Sequence, residues 1–521
     1  MSLVRNPDEV ALDSKLAEAT ASQYHPAQRL LLAGGVSLVL VGLLSGGIFA
    51  LFVSHVVNAE LRSVWAALIE SVARGDTSAI HPAVDRLREL AVDRGRAMSM
   101  HSHIASYGLL TAMIGLARHS LLGNSNQNFI ASLLVLTGGA LQGASMYAQS
   151  WRMAQAFTAS DLGAVLLFIG ISLTVFRLLR SDAAAAQTAP SVAGNFIVDN
   201  VLLRAGASLV CIGLVLGLYV AWRHIYFEQP ALSAAFAEML RALDMGDVRT
   251  ASARFGDYKT IQTRIDITAA SHSHAVFFGF VLLVTAFTIR SLRLPRPVLN
   301  AARVLVLGGA FLLPVCVFLA PRISMRFALG ANIGGALVVL ALAIVLIGLV
   351  IGKERTKPEA GRVMPQVSRP LVLGTLVALQ LGLAASVLWS HLGAESPRLS
   401  RREDVADVIA EVAAPGERAE APRTHTEANL AHSRMIAAHA HFLNLAVLLI
   451  ALALLIAKGR LGPQAKARAA AGLAFGVIAY PAGLILDGAG VSTPGHVLAF
   501  AGSVVVVAIS LAALWNVLGE T

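Results

Sequence analysis

Long apolar stretches constrain the fold of this chain more than any other feature of its sequence. Runs of about 20 apolar residues, the length that crosses a hydrocarbon core of roughly 30 Å as a helix, recur from Leu30 to Leu518. Only 14% of the residues are charged and 56% are hydrophobic, whereas soluble domains contain roughly 25% charged residues. The pattern predicts an all-α, polytopic membrane protein of about twelve transmembrane helices.

The predicted helices are unevenly spaced along the chain. They lie near residues 30–54, 102–118, 127–148, 160–179, 200–223, 273–290, 300–320, 328–352, 370–391, 436–457, 467–487 and 494–518. Long polar segments of about 45 residues separate helices 1 and 2, helices 5 and 6, and helices 9 and 10, whereas most other connections are short. This rhythm indicates an internal repeat.

Histidines at the ends of predicted helices 1, 5 and 9 give the repeat its length. His55, His224 and His391 recur at nearly equal intervals, since 224 − 55 = 169 and 391 − 224 = 167. We therefore predict a polar tail over residues 1–28 and three pseudo-threefold four-helix repeats over residues 29–182, 199–353 and 369–521. Gly-Asp or Gly-Glu dipeptides recur within the long segments between helix-favouring stretches, and they predict a helical hairpin that caps the outer end of each repeat: Gly75-Asp76, Gly246-Asp247 and Gly416-Glu417.

Basic residues in the short loops set the expected orientation. Such loops face the cytoplasm, and those after predicted helices 6, 8 and 10 are rich in lysine and arginine. Both termini are then cytoplasmic, in a bacterial-type inner membrane, and the long segments face outward. The acidic tail is unlike a signal peptide. The net charge of +10 comes from scattered arginines rather than a basic stripe, so the expected partner is membrane lipid and not nucleic acid.

A His-x-His pair opens the second helix of each repeat. The pairs are His101 and His103, His272 and His274, and His439 and His441, and their first members recur at intervals of 272 − 101 = 171 and 439 − 272 = 167. Ionisable groups at the edge of a bilayer are costly without partners. One such pair alone would most simply bind headgroups and loops, but its threefold recurrence predicts a functional site.

Helical geometry limits what the pairs bind. Residues i and i+2 project about 200° apart, whereas two ligands of one metal usually lie at i and i+3 or i+4. If predicted helices 2, 6 and 10 line a common centre, each sends one imidazole to either side, and three sites with two axial histidines result. That arrangement predicts up to three b-type haems. They are held noncovalently, since no Cys-x-x-Cys-His motif occurs.

Neighbouring arginines and glycines extend this prediction. Arg96 and Arg434 each precede the first histidine of a pair by five residues, and Arg264 precedes His272 by eight. These arginines either bind haem carboxylates or extend to the membrane surface. Gly108 and Gly279 either make room for the edge of a haem ring or serve helix packing alone.

The histidines that end predicted helices 1, 5 and 9 allow a different metal site. His55, His224 and His391 would each complete a three-histidine copper or zinc site with the neighbouring pair. This site requires the pair to start before helical geometry begins. Hydrogen bonding at the outer surface is the alternative role.

The third pair also resembles a known family. His439-Ala-His441, followed by small and apolar residues in helix 10 of a twelve-helix chain, is similar to the catalytic subunit of haem-copper oxidases, nearest the C-family and nitric oxide reductase branch. The resemblance implies three four-helix arcs with both termini inside. It also implies that His439 and His441 ligate two different haems, and that His101 or His103 ligates the low-spin haem.

The sequence departs from that family at the copper site. Predicted helix 7 contains no histidine, and helix 6 contains no tyrosine. Haem-mediated electron transfer is thus the expected function, with cytochrome c or a quinol as redox partner. One alternative is a copper- or haem-dependent oxidoreductase that resembles oxygen and nitric oxide reductases. The other is a histidine-lined transporter or metal-handling membrane protein, although transporters usually have polar residues near the membrane midplane.

Overall fold

The computed structural model describes most of the chain and is almost entirely helical. The described residues are 26–52, 58–74, 76–121, 126–150, 155–180, 199–245, 247–289, 295–324, 326–351, 441, 444–449, 452, 456, 461–489 and 491–518. These ranges contain no β-strand, as the all-α prediction requires. Predicted helix 9 and most of helix 10 lie outside the described residues.

Twelve helices are bounded within these ranges. They are α1 (Pro26–Phe52), α2 (Asn58–Arg74), α3 (Thr77–Leu121), α4 (Asn126–Ser150), α5 (Gln155–Arg180), α6 (Asn200–Arg223), α7 (Gln229–Asp244), α8 (Val248–Thr288), α9 (Arg296–Leu319), α10 (Phe327–Ile351), α11 (Pro463–Gly488) and α12 (Ser492–Leu518). A π-helical turn, His224–Glu228, joins α6 to α7.

Seven stretches of the described chain are long and apolar enough to cross a membrane. They are Thr158–Arg177, Asn200–Met239, Gly256–Ala286, Arg296–Leu319, Phe327–Ile347, Gln464–Gly488 and Ser492–Trp515. Two shorter apolar stretches, Leu30–Gly46 and Phe129–Ser145, correspond to predicted helices 1 and 3, and predicted helix 2 forms the second half of α3. The multi-pass membrane prediction therefore agrees with these helices.

Helical hairpins are present where the first two were predicted. α2 packs against the first half of α3, and α7 packs against the first half of α8. Ion pairs join the two arms, between Glu60 and Arg86 in the first hairpin and between Glu238 and Arg254 in the second. We call the end of the bundle that carries them the hairpin end. The second arm continues into the apolar half without a break, so α3 has 45 residues and α8 has 41.

The recurring aspartates cap the second arm of each hairpin. The Asp76 carboxylate accepts a hydrogen bond from the Ala79 backbone N–H at 3.3 Å, and Asp247 accepts one from Thr250 at 3.0 Å. These bonds satisfy donors that the first turn of a helix leaves unpaired. The two caps recur at the same interval as the first histidines of the first two pairs, since 247 − 76 = 171.

Close glycine contacts join the helices in pairs. A β-carbon at Gly35 of α1 would lie 2.7 Å from the carbonyl oxygen of Gly108 in α3, and one at Gly206 of α6 would lie 2.8 Å from that of Gly279 in α8. The second contact follows the first by one repeat, since 206 − 35 = 171 and 279 − 108 = 171. Gly108 and Gly279 thus serve helix packing, and the neighbouring backbone leaves no room there for a haem edge. The last helix, α12, also packs against α1.

Candidate cofactor site

Two complete histidine pairs of the described chain lie inside continuous helices. His101 and His103 belong to α3, and His272 and His274 belong to α8, each several turns after the helix begins. His441 is also helical, whereas His439 lies outside the described residues. The two imidazoles of each complete pair therefore project about 200° apart.

His272 and His274 lie on either side of the most deeply buried face of α8. In the most apolar stretch of this helix, 56% of the residues are buried, against 28–39% in the corresponding stretches of the other six candidate spans. Around the pair, the stripe of residues exposed by no more than 1% comprises Thr268, Ser271, Ala275 and Phe278. Each histidine projects roughly 80° away from the centre of that stripe. α8 thus faces the interior of the bundle with one imidazole on each side.

The imidazoles of α3 reach two different neighbours. The ring of His101 lies 6.2 Å from that of His441, measured between centroids, and the planes differ by 22°. His103 acts on His272 of α8 only through electrostatics. The structure therefore brings His101 and His441 together as one ring couple.

Backbone carbonyls fix the orientation of the α8 imidazoles. His272 Nδ1 lies 2.6 Å from the Gly213 carbonyl oxygen, and His274 Nδ1 lies 2.6 Å from that of Ala270. Because a carbonyl oxygen only accepts, Nδ1–H is the donor in both bonds and the Nε2 lone pair is left for another partner. Histidines that bind metals usually donate their second ring nitrogen in this way, and the bond raises the basicity of the ligand.

A tyrosine contacts the other ring nitrogen, Nε2, of His441. The Tyr480 hydroxyl lies 3.3 Å from His441 Nε2, and the two rings meet edge to face at 4.8 Å between centroids. A hydroxyl that donates to Nε2 places the histidine proton on Nδ1, the same tautomer as in α8. The sequence reasoning missed Tyr480. One sequence feature pointed to it: Tyr480 is the only tyrosine after Tyr258, and it lies within an apolar segment.

Glycines of the first helix in each packed pair make room for the first histidine. A β-carbon at Gly46 would lie 3.1 Å from His101 Cδ2, and one at Gly217 would lie 2.6 Å from His272 Cε1. The intervals agree, since 217 − 46 = 171 and 272 − 101 = 171. The two imidazoles therefore rest against backbone that carries no side chain.

The second histidine of each complete pair contacts an aromatic ring one turn further along the helix. Tyr107 meets His103 edge to face at 5.7 Å, and Phe278 stacks on His274 at 6.2 Å with an interplanar angle of 23°. The Tyr107 hydroxyl also hydrogen-bonds the Gln142 side chain. The second histidine therefore has an aromatic ring at the same helical position in both repeats, but the ring is a tyrosine in one and a phenylalanine in the other.

His224 does not join the neighbouring pair. It begins the π-helical turn, seven residues after Gly217, so it is about 10 Å further toward the hairpin end than the contact with His272. Its Nδ1 atom is buried, and among the described residues it has no hydrogen-bond partner. Because His272 and His274 are both helical, the condition set for a three-histidine site with that pair is not met in this repeat.

Most of the remaining predicted site residues lie outside the residues that the structure describes. His55, His391 and Arg434 fall outside the described residues, and Arg96 lies in α3 with its side chain undescribed. Arg264 Nε is buried without a hydrogen-bond partner in the described part of the chain. No group of three or more His, Cys, Asp or Glu residues within that part is placed to hold a metal ion. The three-histidine copper or zinc site stays a prediction.

Comparison with known proteins adds no further constraint. The chain matches no protein-family model and no curated protein. The histidine couples and their surroundings are thus the basis for a functional assignment.

Proposed function

We propose that this protein is a membrane electron-transfer protein that binds b-type haem between pairs of histidines contributed by predicted helices 2, 6 and 10. The observation that carries the proposal is the pairing of the His101 and His441 rings. We propose that His103 and His272, which interact electrostatically, form a second couple of the same kind. In each couple the first histidine of one repeat is matched with the second histidine of the preceding repeat, counted cyclically. The same rule assigns His274 to His439.

The residues of the His101 couple fit haem ligation, since imidazole is a common ligand of haem iron. The rings of His101 and His441 are 6.2 Å apart and nearly parallel. The hydrogen bonds of His272 and His274 leave Nε2 as the ligating atom. Bound haem would supply one-electron redox chemistry, while the protein holds the axial ligands and excludes water.

The same proposal includes the complete fold. Twelve transmembrane helices in three four-helix repeats give each histidine pair an equivalent position around one axis. Three features support this arrangement: the two hairpins with their aspartate caps, the glycine contacts that recur one repeat later, and the packing of α12 on α1. The basic short loops then place both termini in the cytoplasm and the haems near the outer face of an inner membrane.

We further propose that the chain is a divergent relative of the haem-copper oxidase catalytic subunit. The couple of His101 with His441 joins predicted helices 2 and 10, as the low-spin haem of that family does. α9 contains no histidine, so the family's copper ligands have no counterpart in that helix. Without these copper ligands, electron exchange with cytochrome c or a quinol at the outer face is a better fit than reduction of oxygen or nitric oxide.

Reduced-minus-oxidised spectra of the purified protein and its variants test the proposal. H103A and H272A should abolish the same haem b signal, and H101A and H441A should abolish a second one. The double variant H103A/H272A should lose no more than either single variant. H496A is the matched control, since His496 is 61% exposed and pairs with Asp487. A wild-type protein without a haem b band, or with stoichiometric copper in mass spectrometry, contradicts the proposal.

A further inference from the structure

The guanidinium of Arg322 lies where α6, α8 and α9 meet at the hairpin end. Its Nη1 atom donates to the Phe318 carbonyl oxygen at 2.7 Å, and its Nη2 atom donates to Thr268 Oγ1 at 3.4 Å. The guanidinium carbon also lies 3.8 Å from the centroid of the Phe318 ring and 5.8 Å from that of the Tyr219 ring. Phe318 belongs to α9, Thr268 to α8 and Tyr219 to α6. Three helices therefore surround this one cation.

The charge of Arg322 is not matched by a carboxylate. Its two hydrogen bonds go to neutral oxygens, and within the described part of the chain no ion pair involves this arginine. The neighbouring Arg223, which donates to the Tyr219 hydroxyl at 3.1 Å, is instead paired with the buried Glu228 at 2.7 Å. Arg322 is half-buried, and a cation at the edge of a bilayer is costly without a partner. Its surroundings therefore favour an anion.

A second arginine adds to the positive charge. Arg264 lies one turn before Thr268 on the same face of α8, and the Thr268 hydroxyl donates to the Arg264 carbonyl oxygen at 2.7 Å. Arg264 Nε is buried, and no acceptor for it is present among the described residues. A guanidinium has more N–H donors than the two bonds of Arg322 use. Both arginines therefore keep donors for the oxygens of an anion.

The surface beside these arginines is apolar and exposed. One side of α6 is exposed at every third or fourth residue, as in a helix that faces lipid, and we call these residues the α6 stripe: Ile212, Val215, Leu218 and Trp222. Trp222 ends the stripe, and its ring lies 6.3 Å from the Tyr219 ring that faces Arg322. Tryptophan is enriched at the level of lipid headgroups. The cation therefore lies at the end of a surface suited to acyl chains.

We infer that Arg322 binds the phosphate of an anionic phospholipid whose acyl chains lie along the α6 stripe. Guanidinium groups form paired hydrogen bonds with phosphate, and basic pockets between transmembrane helices bind anionic headgroups. Phosphatidylglycerol should bind better than phosphatidylcholine, because the choline group would bring a further positive charge to Arg322 and Arg264. Inorganic phosphate has similar oxygens but no chain for the stripe. The inference goes beyond the proposed function and does not depend on haem.

Native mass spectrometry of the full-length protein in detergent tests the inference. The wild type should bind added phosphatidylglycerol more tightly than phosphatidylcholine. R322Q should raise the Kd for phosphatidylglycerol about tenfold, the effect of one lost charge-assisted hydrogen bond. R296Q is the matched control, because Arg296 is exposed at the opposite end of α9. Equal affinity for the two lipids, or an unchanged Kd in R322Q, overturns the inference. Loss of haem b from R322Q with an unchanged lipid affinity assigns the arginine to a haem carboxylate instead.

Two further measurements separate the lipid from a free anion and from a folding defect. Inorganic phosphate in large excess should not displace phosphatidylglycerol, and displacement would overturn the assignment to lipid. Trp222 allows a test without an arginine variant. In phosphatidylcholine vesicles, the fluorescence that W222F removes should be quenched more strongly by brominated phosphatidylglycerol than by brominated phosphatidylcholine. Equal quenching overturns the inference even if R322Q does not fold.

Discussion

Replacement of Tyr480 by phenylalanine should strengthen haem binding at the His101 couple. The Tyr480 hydroxyl is hydrogen-bonded to His441 Nε2 at 3.3 Å, and this is the atom that a haem iron would take. The bond must therefore break when haem binds. The phenylalanine ring keeps the edge-to-face contact with the imidazole but has no bond to lose.

The size of the effect follows from the hydrogen bond. An intramolecular hydrogen bond contributes about 1 kcal/mol net to stability. Tyr480 is half-buried beside His441, so few other groups replace the lost bond. A change of about 1 kcal/mol corresponds to roughly fivefold in affinity. Y480F should thus lower the Kd for haem at this couple about fivefold.

Haem titration into apoprotein, followed by the Soret band, measures the effect. The H272A/H274A background removes the other couples, so that one site is titrated. Y107F is the control, because the Tyr107 hydroxyl bonds the Gln142 side chain and not a histidine nitrogen. It should leave the Kd within about twofold. A Kd that rises tenfold in Y480F would show that the hydroxyl stabilises the loaded site, and the reasoning would be refuted.

Two further predictions concern the frame around the site. R303A should lower the free energy of unfolding by about 3 kcal/mol, because it leaves the buried Asp199 carboxylate without the guanidinium 2.5 Å away. Thermal unfolding in detergent measures this loss, and R296A, at an exposed arginine, is the control. A loss below about 1 kcal/mol contradicts the prediction. The hairpins should loosen in acid, because hydrogen bonds from Ser78 and Thr250 lower the pKa values of Asp76 and Asp247. A lowered pKa in the folded state adds stability above the unfolded value of about 3.9, and this stability is lost as the pH falls through the folded value. Amide protection factors at the start of α3 and α8, with the intrinsic exchange rate divided out, should therefore fall below about pH 4, and unchanged protection would show that the caps contribute nothing.

The sequence was sufficient where local physics decides the outcome. Apolar runs predicted most helices to within a few residues, because the length that crosses a bilayer and the polar segments between runs are both visible in the chain. The dipeptides at Asp76 and Asp247 marked the hairpin turns, because an aspartate that caps a helix does so through its immediate neighbours. The divergence of a His-x-His pair likewise follows from the helical period alone.

The contacts between helices were beyond the reach of the sequence. Gly108 and Gly279 were compatible with a haem edge or with packing, and only the closeness of α1 to α3 and of α6 to α8 decided for packing. Tyr480 belongs to α11, and its contact with His441 depends on how two helices align along their length. Such alignment results from the sum of many side-chain contacts rather than from any one residue.

The sequence by itself predicted that the imidazoles of each His-x-His pair point in opposite directions, and for the two complete pairs of the described chain this follows from their helices. Only the tertiary structure decided that His101 meets His441, and which ring nitrogens of His272 and His274 remain for a ligand. The reason is physical: the direction of a side chain is set by its own backbone, whereas its partner is set by the packing of helices that are distant in the chain.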